Sequence, residues 1–232
     1  MAADQAFSLG GIKLLADLQE DALQSIEKRC SWRNFAAQEQ IIDRQSDTRD
    51  VYFVVTGRVR VVNFSLSGRE VAFDEIGAGA YFGETAAIDG QPRSANIVSL
   101  ENTTVAIMSP EVFHSLLTEH PTVMHALMVR MATIIRTSNE RIMDLSTLGA
   151  NNRVYAEILR LAKTAAEDGN SAKIRPIPIH GDIASRVSTT RETVARVLND
   201  LARKGLVKRE KDALHILDME HLSDMVEQFQ IE

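Results

Sequence analysis

Several things are missing from this chain, and each absence closes off a class of protein. A single cysteine, Cys30, stands in 232 residues, so there is no internal disulfide and no cysteine-only cluster within one chain. No apolar run reaches the length needed to span a bilayer, and no membrane partner is expected. The start, Met1-Ala2-Ala3-Asp4-Gln5, has neither a basic lead nor a hydrophobic signal core, which points to a cytoplasmic protein. The chain holds no G-x-S-x-G, H-E-x-x-H or Walker loop and no paired carboxylates suited to acid–base work, so no catalytic residue is assigned and an enzyme is not expected. The six histidines, His114, His120, His125, His180, His215 and His221, show no axial-ligand or metal-ligand context. Net positive charge is also missing: a formal charge of −6 argues against indiscriminate polyanion binding.

What is present is more specific. Tyr81 to Ala95 reads Y-F-G-E-T-A-A-I-D-G-Q-P-R-S-A, a Gly-Glu pair opening one short helical turn, a break, and then Arg-Ser. Gly83 allows backbone to approach a ligand closely. The N–H groups at the start of a helix are unpaired and attract an anion. Arg93 offers a planar fork matched to two phosphate oxygens, and Ser94 adds a hydroxyl. Glu84 is out of place beside a phosphate unless it accepts hydrogen bonds from a sugar hydroxyl. Taken singly, these are a turn glycine and two surface charges. In this order they suit a small organic phosphate.

From Trp32 to about Pro110, short runs rich in Val, Ile and Phe alternate with turn residues. The runs are Val51–Val55, Arg58–Phe64, Glu70–Ile76, Ala95–Val98 and Thr103–Met108, separated by stretches such as Thr56-Gly57, Ser65–Gly68 and Gly77–Gly79. Evenly spaced short strands predict an all-β barrel or double-sheet roll. Ahead of them, residues 7–29 read as short helical pieces. Behind them, a helix begins at Pro110-Glu111, and a longer one runs uninterrupted by Gly or Pro from Pro121 to about Leu148. Met124, Met128, Met131, Ile135, Ser138, Ile142 and Leu145 repeat every 3.5 residues on average along it. That is the spacing of two helices packed side by side, and it predicts a homodimer; packing on the chain's own domain is the other reading. Ser138 either fixes register or, with Thr137, faces a ligand.

Leu148–Asn152 reads as a hinge, Arg153–Glu167 as an amphipathic helix ended by Asp168–Ser171, and Ile174–Ile179, with two prolines, as an edge strand. His180–Val187 and Arg191–Lys204 then form two helices around the tight turn Ser188-Thr189-Thr190. Thr190 or Thr189 caps the second, the latter with Glu192 at capping-box spacing, and Gly205 stops it. Leu206–Glu210 and Ala213–Leu217 complete a hairpin, and Met219–Phe229 a last helix. This is the winged helix-turn-helix pattern. Between Lys173 and Lys211 stand ten basic residues against four acidic ones, a local basic block in an acidic chain, which suggests one nucleic-acid face.

The two motifs together resemble the cyclic-AMP receptor family of bacterial transcription regulators. Gly83, Glu84, Arg93 and Ser94 match that family's phosphate-binding cassette, with Thr85 where an apolar residue is usual and Ser46 where an early glycine is usual. Thr190-Arg191-Glu192-Thr193-Val194-Ala195-Arg196 resembles its recognition helix. The resemblance implies an α+β architecture: a cyclic-nucleotide-binding jelly roll over 1–120, a dimerisation helix over 121–148 and a winged helix-turn-helix over 149–232. It implies cyclic AMP as ligand, with Thr137-Ser138 on the purine and the serine supplied by the partner subunit. Hydroxyls both donate and accept, so cyclic GMP stays open. It further implies double-stranded operator DNA and RNA polymerase as partners. Arg191 and Arg196 would each fork onto guanine, and Glu192 would accept from cytosine. Thr190 sits at the recognition-helix start, and His180 stands where relatives carry phosphate-contacting residues. Alternatives from the same residues are a ligand-independent or haem-type regulator and a nucleotide-binding module acting on a protein.

Overall fold

The computed structural model describes residues 8–65, 70–166 and 169–228. The chain folds as two compact units, the first ending at Thr133 and the second beginning at Ile134. The expected turn residues Leu66-Ser67-Gly68, the helix end at Glu167-Asp168, and Phe229 lie outside the described residues.

In the first unit a 3-10 turn (Lys13–Leu15) and α1 (Glu20–Glu27) precede eight strands. These are β1 (Ser31–Phe35), β2 (Gln40–Ile42), β3 (Val51–Thr56), β4 (Arg58–Phe64), β5 (Glu70–Gly77), β6 (Tyr81–Phe82), β7 (Asn96–Ser99) and β8 (Thr103–Met108), with α2 (Glu84–Asp89) between β6 and β7. They form two four-stranded sheets, ordered β1-β8-β3-β6 and β2-β7-β4-β5. Every pairing is antiparallel, which is the double-sheet roll expected. Phe53, Val54, Val59 and Val105 are fully buried, and each such side chain contributes about 1.5–3 kcal/mol on leaving water. Gly57 makes the β3–β4 turn at φ 85°; a Cβ there would lie 2.6 Å from the Asn102 carbonyl oxygen, so only glycine fits without displacing β8. Ser46, at the position where an early glycine is usual, donates from both its N–H and its hydroxyl to the Asp43 carbonyl, at 3.2 and 2.8 Å, while Gln45 takes the left-handed conformation at φ 70°.

Helix α3 (Pro110–Glu119) starts with proline in its first turn under a Ser109 cap, whose hydroxyl accepts from the Val112 N–H at 3.4 Å. Helix α4 covers Pro121–Thr147. Its predicted seam is largely uncovered: Met128, Ile135 and Ile142 are 56%, 60% and 60% exposed, while Met131 packs on the roll's core. Packing against its own domain therefore does not account for the stripe. Among the described residues no helix is long and apolar enough to cross a membrane.

The second unit continues with α5 (Ala150–Ala165), β9 (Ala172–Ile174), α6 (His180–Arg186), α7 (Arg191–Arg203), β10 (Val207–Arg209), β11 (Leu214–Ile216) and α8 (Met219–Gln228). Its antiparallel sheet runs β10-β11-β9. Two expectations are corrected. Only Leu148 and Gly149 interrupt the helices, because Asn151 and Asn152 join the first turn of α5, where backbone N–H groups need no intrahelical partner. The edge strand lies at Ala172–Ile174 rather than Ile174–Ile179, since Pro176 and Pro178 have no N–H to give a ladder.

Candidate functional site

In the first unit the β6–α2 junction builds a cationic cradle. Gly83 caps α2 at φ 86°. A Cβ there would stand 2.7 Å from Arg93 Nη1 and 2.8 Å from the Asp50 carbonyl oxygen, so the missing side chain is what admits the arginine. Arg93 is 4% exposed. Its Nη1 donates to the Gly83 carbonyl at 2.8 Å, its Nη2 to the Asp50 carbonyl at 2.7 Å, and its Nε to the Thr48 hydroxyl at 3.1 Å. Backbone bonds between Arg93 and Gln45 and Ser46, at 2.9 and 3.0 Å, pin the segment. The guanidinium also stands 5.7 Å from the centre of the Tyr52 ring, itself stacked on Phe82 at 4.9 Å.

All three of these hydrogen bonds go to neutral oxygens. An arginine has five N–H donors, so one N–H on each terminal nitrogen is left without a partner among the described residues. Burial pulls the Arg93 pKa down, opposed by the charges of Tyr52, Asp50 and Glu84. Glu84 is 6% exposed. Burial raises its pKa, against its own backbone N–H and the charges of Arg130 and Arg93. A buried carboxylate and a buried guanidinium placed side by side, without direct pairing, suit a ligand that carries both hydroxyls and an anion.

Of the expected residues, Gly83, Glu84 and Arg93 come together, whereas Thr85 and Ser94 are exposed at the margin. The Ser94 carbonyl accepts from Asn63 Nδ2 at 3.1 Å. Thr137 is half-buried and Ser138 exposed on the part of α4 that belongs to the second unit. Sequence reasoning missed Thr48, Asp50, Tyr52 and Arg130. Arg130 Nη2 donates to the Tyr81 carbonyl at 3.3 Å and its guanidinium lies 4.5 Å from the centre of the Tyr81 ring. Burial pushes the Tyr81 hydroxyl up to about 12, with Arg130 pulling the other way. The only signal for Arg130 was a charge interrupting an apolar helix.

In the second unit the cap of α7 is Thr190, not Thr189: its hydroxyl accepts from the Thr193 N–H at 3.2 Å. Glu192, exposed, is held below the ordinary carboxylate range by its own backbone N–H, the Thr190 hydroxyl and then Arg191. Arg191 is exposed and lies across the start of α6, where a Cβ on Gly181 would meet its Nε at 2.9 Å. Arg196, also exposed, donates to Asn151 Oδ1 at 3.4 Å. His180, half-buried, is the first residue of α6. Glu192, Arg196, Asn199 and Arg203 line one open face of α7. Arg153, also missed, donates to the carbonyls of Val187, Leu148 and Ser188 at 2.8, 2.9 and 3.1 Å and so fixes the α6–α7 turn.

A sheet roll that holds a buried arginine beside a buried glutamate, followed by a winged helix-turn-helix, fits the class of ligand-sensing DNA-binding proteins. Residues 32–120 match the model of the cyclic nucleotide-binding domain, and residues 152–225 that of the Crp-like helix-turn-helix domain. The chain is 34% identical over 158 residues to the cyclic AMP receptor protein of Thermus thermophilus, spanning 68% of this chain and 70% of the relative. It is 25% identical over 174 residues to the CRP-like cAMP-activated global transcriptional regulator of Mycobacterium tuberculosis, spanning 75% and 78%. A CooA mutant from Carboxydothermus hydrogenoformans shares the fold at a TM-score of 0.79 and 19% identity, over 93% of this chain and 95% of that one. The chain belongs to the cyclic-AMP receptor protein family of transcription regulators, with a cyclic-nucleotide-binding domain and a helix-turn-helix DNA-binding domain.

Proposed function

We propose that this chain is a homodimeric regulator switched by cyclic AMP, acting in the cytoplasm on a palindromic operator and on RNA polymerase. The observation that carries the reading is Arg93: among the described residues, a buried guanidinium bonded only to neutral oxygens, with an N–H to spare on each terminal nitrogen. Those two donors match the cyclic phosphate, assisted by the Ser94 hydroxyl and the backbone at Gly83 and Thr85. Glu84 accepts from the ribose 2′-hydroxyl, a bond that offsets the cost of burying the carboxylate. Thr137 and Ser138 take the purine. The similar proteins of Thermus thermophilus and Mycobacterium tuberculosis, a cyclic AMP receptor and a cAMP-activated regulator, support cyclic AMP over cyclic GMP.

The work is divided among a nucleotide-binding roll (1–120), a dimerisation helix (121–148) and a DNA-reading domain (149–232). The uncovered stripe of α4 meets its copy in the second subunit, and a ligand that touches both subunits favours one arrangement of the pair. Arg191 and Arg196 then reach guanine edges and Glu192 a cytosine amine, while Thr190 and His180 face the DNA backbone. Titrating the full chain with cyclic AMP and with cyclic GMP, read out as affinity for an operator duplex and a scrambled duplex at one salt concentration, tests the proposal. A rise in affinity for the operator alone is expected with cyclic AMP. No nucleotide-dependent rise overturns the switch.

A further inference from the structure

One buried charge in the second unit has no part in reading DNA or nucleotide. Glu157, in the middle of α5, is 0% exposed. Its Oε1 accepts from Arg141 Nη2 and from Arg186 Nη1, each at 3.4 Å, and its Oε2 from Arg160 Nη1. Arg160 Nη2 donates to Asp144 Oδ2 at 2.8 Å, and its Nε lies 3.5 Å from Glu140 Oε2. Burial works against the Arg160 charge, but the bonds and charges of Asp144 and Glu157 outweigh it and raise its pKa.

Three guanidiniums thus meet the carboxylates of Glu157, Asp144 and Glu140. They come from three elements: Glu140, Arg141 and Asp144 from α4, Glu157 and Arg160 from α5, and Arg186 from the last turn of α6. A carboxylate taken out of water costs several kcal/mol unless it is paired, and here the pairing comes from Arg160 on the same helix and from Arg141 and Arg186 on its neighbours. Such a cluster adds little net stability over a well-packed apolar one. Its distinguishing property is directionality: sliding α4 or α6 past α5 breaks a bond to the buried Glu157 carboxylate.

We propose that Glu157 is a positioning residue, which through Arg141 and Arg186 sets α6, and with it the recognition helix α7, against the C-terminal turns of α4. Movement of α4 is then relayed to the DNA-reading helices in part through this carboxylate, beside the Arg153 link from Leu148 to the α6–α7 turn. This rests on the reading that a nucleotide acts at Thr137 and Ser138 of α4.

The test uses the whole 232-residue chain and the variants Arg141→Met, Arg186→Met and the double. Calorimetry gives cyclic AMP affinity, and anisotropy gives operator affinity with and without saturating nucleotide. Nucleotide affinity should stay within about twofold of the unaltered chain, while the nucleotide-driven gain in operator affinity falls by roughly tenfold in each single variant. The double should lose no more than the worse single, because both act through one carboxylate. A merely structural role would lower the melting temperature and leave the gain intact, and that result overturns the inference alone. Two losses that multiply in the double also overturn it. No gain in the unaltered chain overturns the switch reading and this inference together. Should Arg186→Met fail to fold, Arg141→Met, whose arginine side chain is 25% exposed, carries the test.

Discussion

Replacing Arg93 with methionine separates what the arginine does for the fold from what it does for the ligand. The guanidinium makes three hydrogen bonds inside the protein. Losing them leaves the Gly83 and Asp50 carbonyls short of a donor, while removing a buried cation returns its desolvation cost. The net destabilisation should be about 1–3 kcal/mol. The ligand loses more, because the two spare N–H groups would bond an anion at about 1.5–3 kcal/mol each. The loss is then about 3–6 kcal/mol, or roughly 10²–10⁴-fold in the dissociation constant. Arg93→Lys should fall between, since it keeps the charge but not the fork. Calorimetry with cyclic AMP beside a thermal melt reads both effects. Affinity within about threefold of the unaltered chain, measured well below the variant's melting temperature, would refute the assignment of Arg93 to the phosphate.

Three further outcomes follow from the same geometry. Glu84→Gln should raise the melting temperature at neutral pH yet weaken nucleotide binding. The folded pKa of Glu84 is raised above its ordinary 4.5, so stability is lost as pH rises through that window, and the variant's advantage should vanish below it; a melt lowered at neutral pH contradicts this. Arg191→Ala should cost roughly 1–3 kcal/mol at one base pair of the operator, and an equal loss on every duplex would reassign it to the DNA backbone. Ile142→Asp, at a position 60% exposed in the single chain, should yield monomers by sedimentation, with a melt that no longer rises with protein concentration. A persisting dimer would place the interface elsewhere.

The legible parts of the fold were those with a strong local period. Strands β3, β4, β5, β7 and β8 and helix α4 lie within a residue or so of where alternation and the unbroken helical run put them. Strands β1, β2 and β6 were not read, for two reasons: β6 has two residues and β2 three, and Ser31–Phe35 buries fully only its last side chain. The site divides in the same way. Gly83, Glu84 and Arg93 are a motif in sequence, but Arg93's partners at Thr48 and Asp50 act across 45 and 43 residues, one of them through a backbone carbonyl that no side chain announces. Glu157 was invisible because it sits between Ala156 and Ile158 on a helix whose apolar pattern is complete without it. A charge at that register reads as solvated until its three arginines are seen to converge.

Arg153 holds the turn between α6 and α7 from outside the motif, bonding Val187 and Ser188 on one side and Leu148 on the other. The smallest portion of this protein that could be transplanted as a working helix-turn-helix therefore begins near Leu148, well ahead of the first residue of α6 at His180. A graft of α6 and α7 alone would carry the right letters on a loosened elbow.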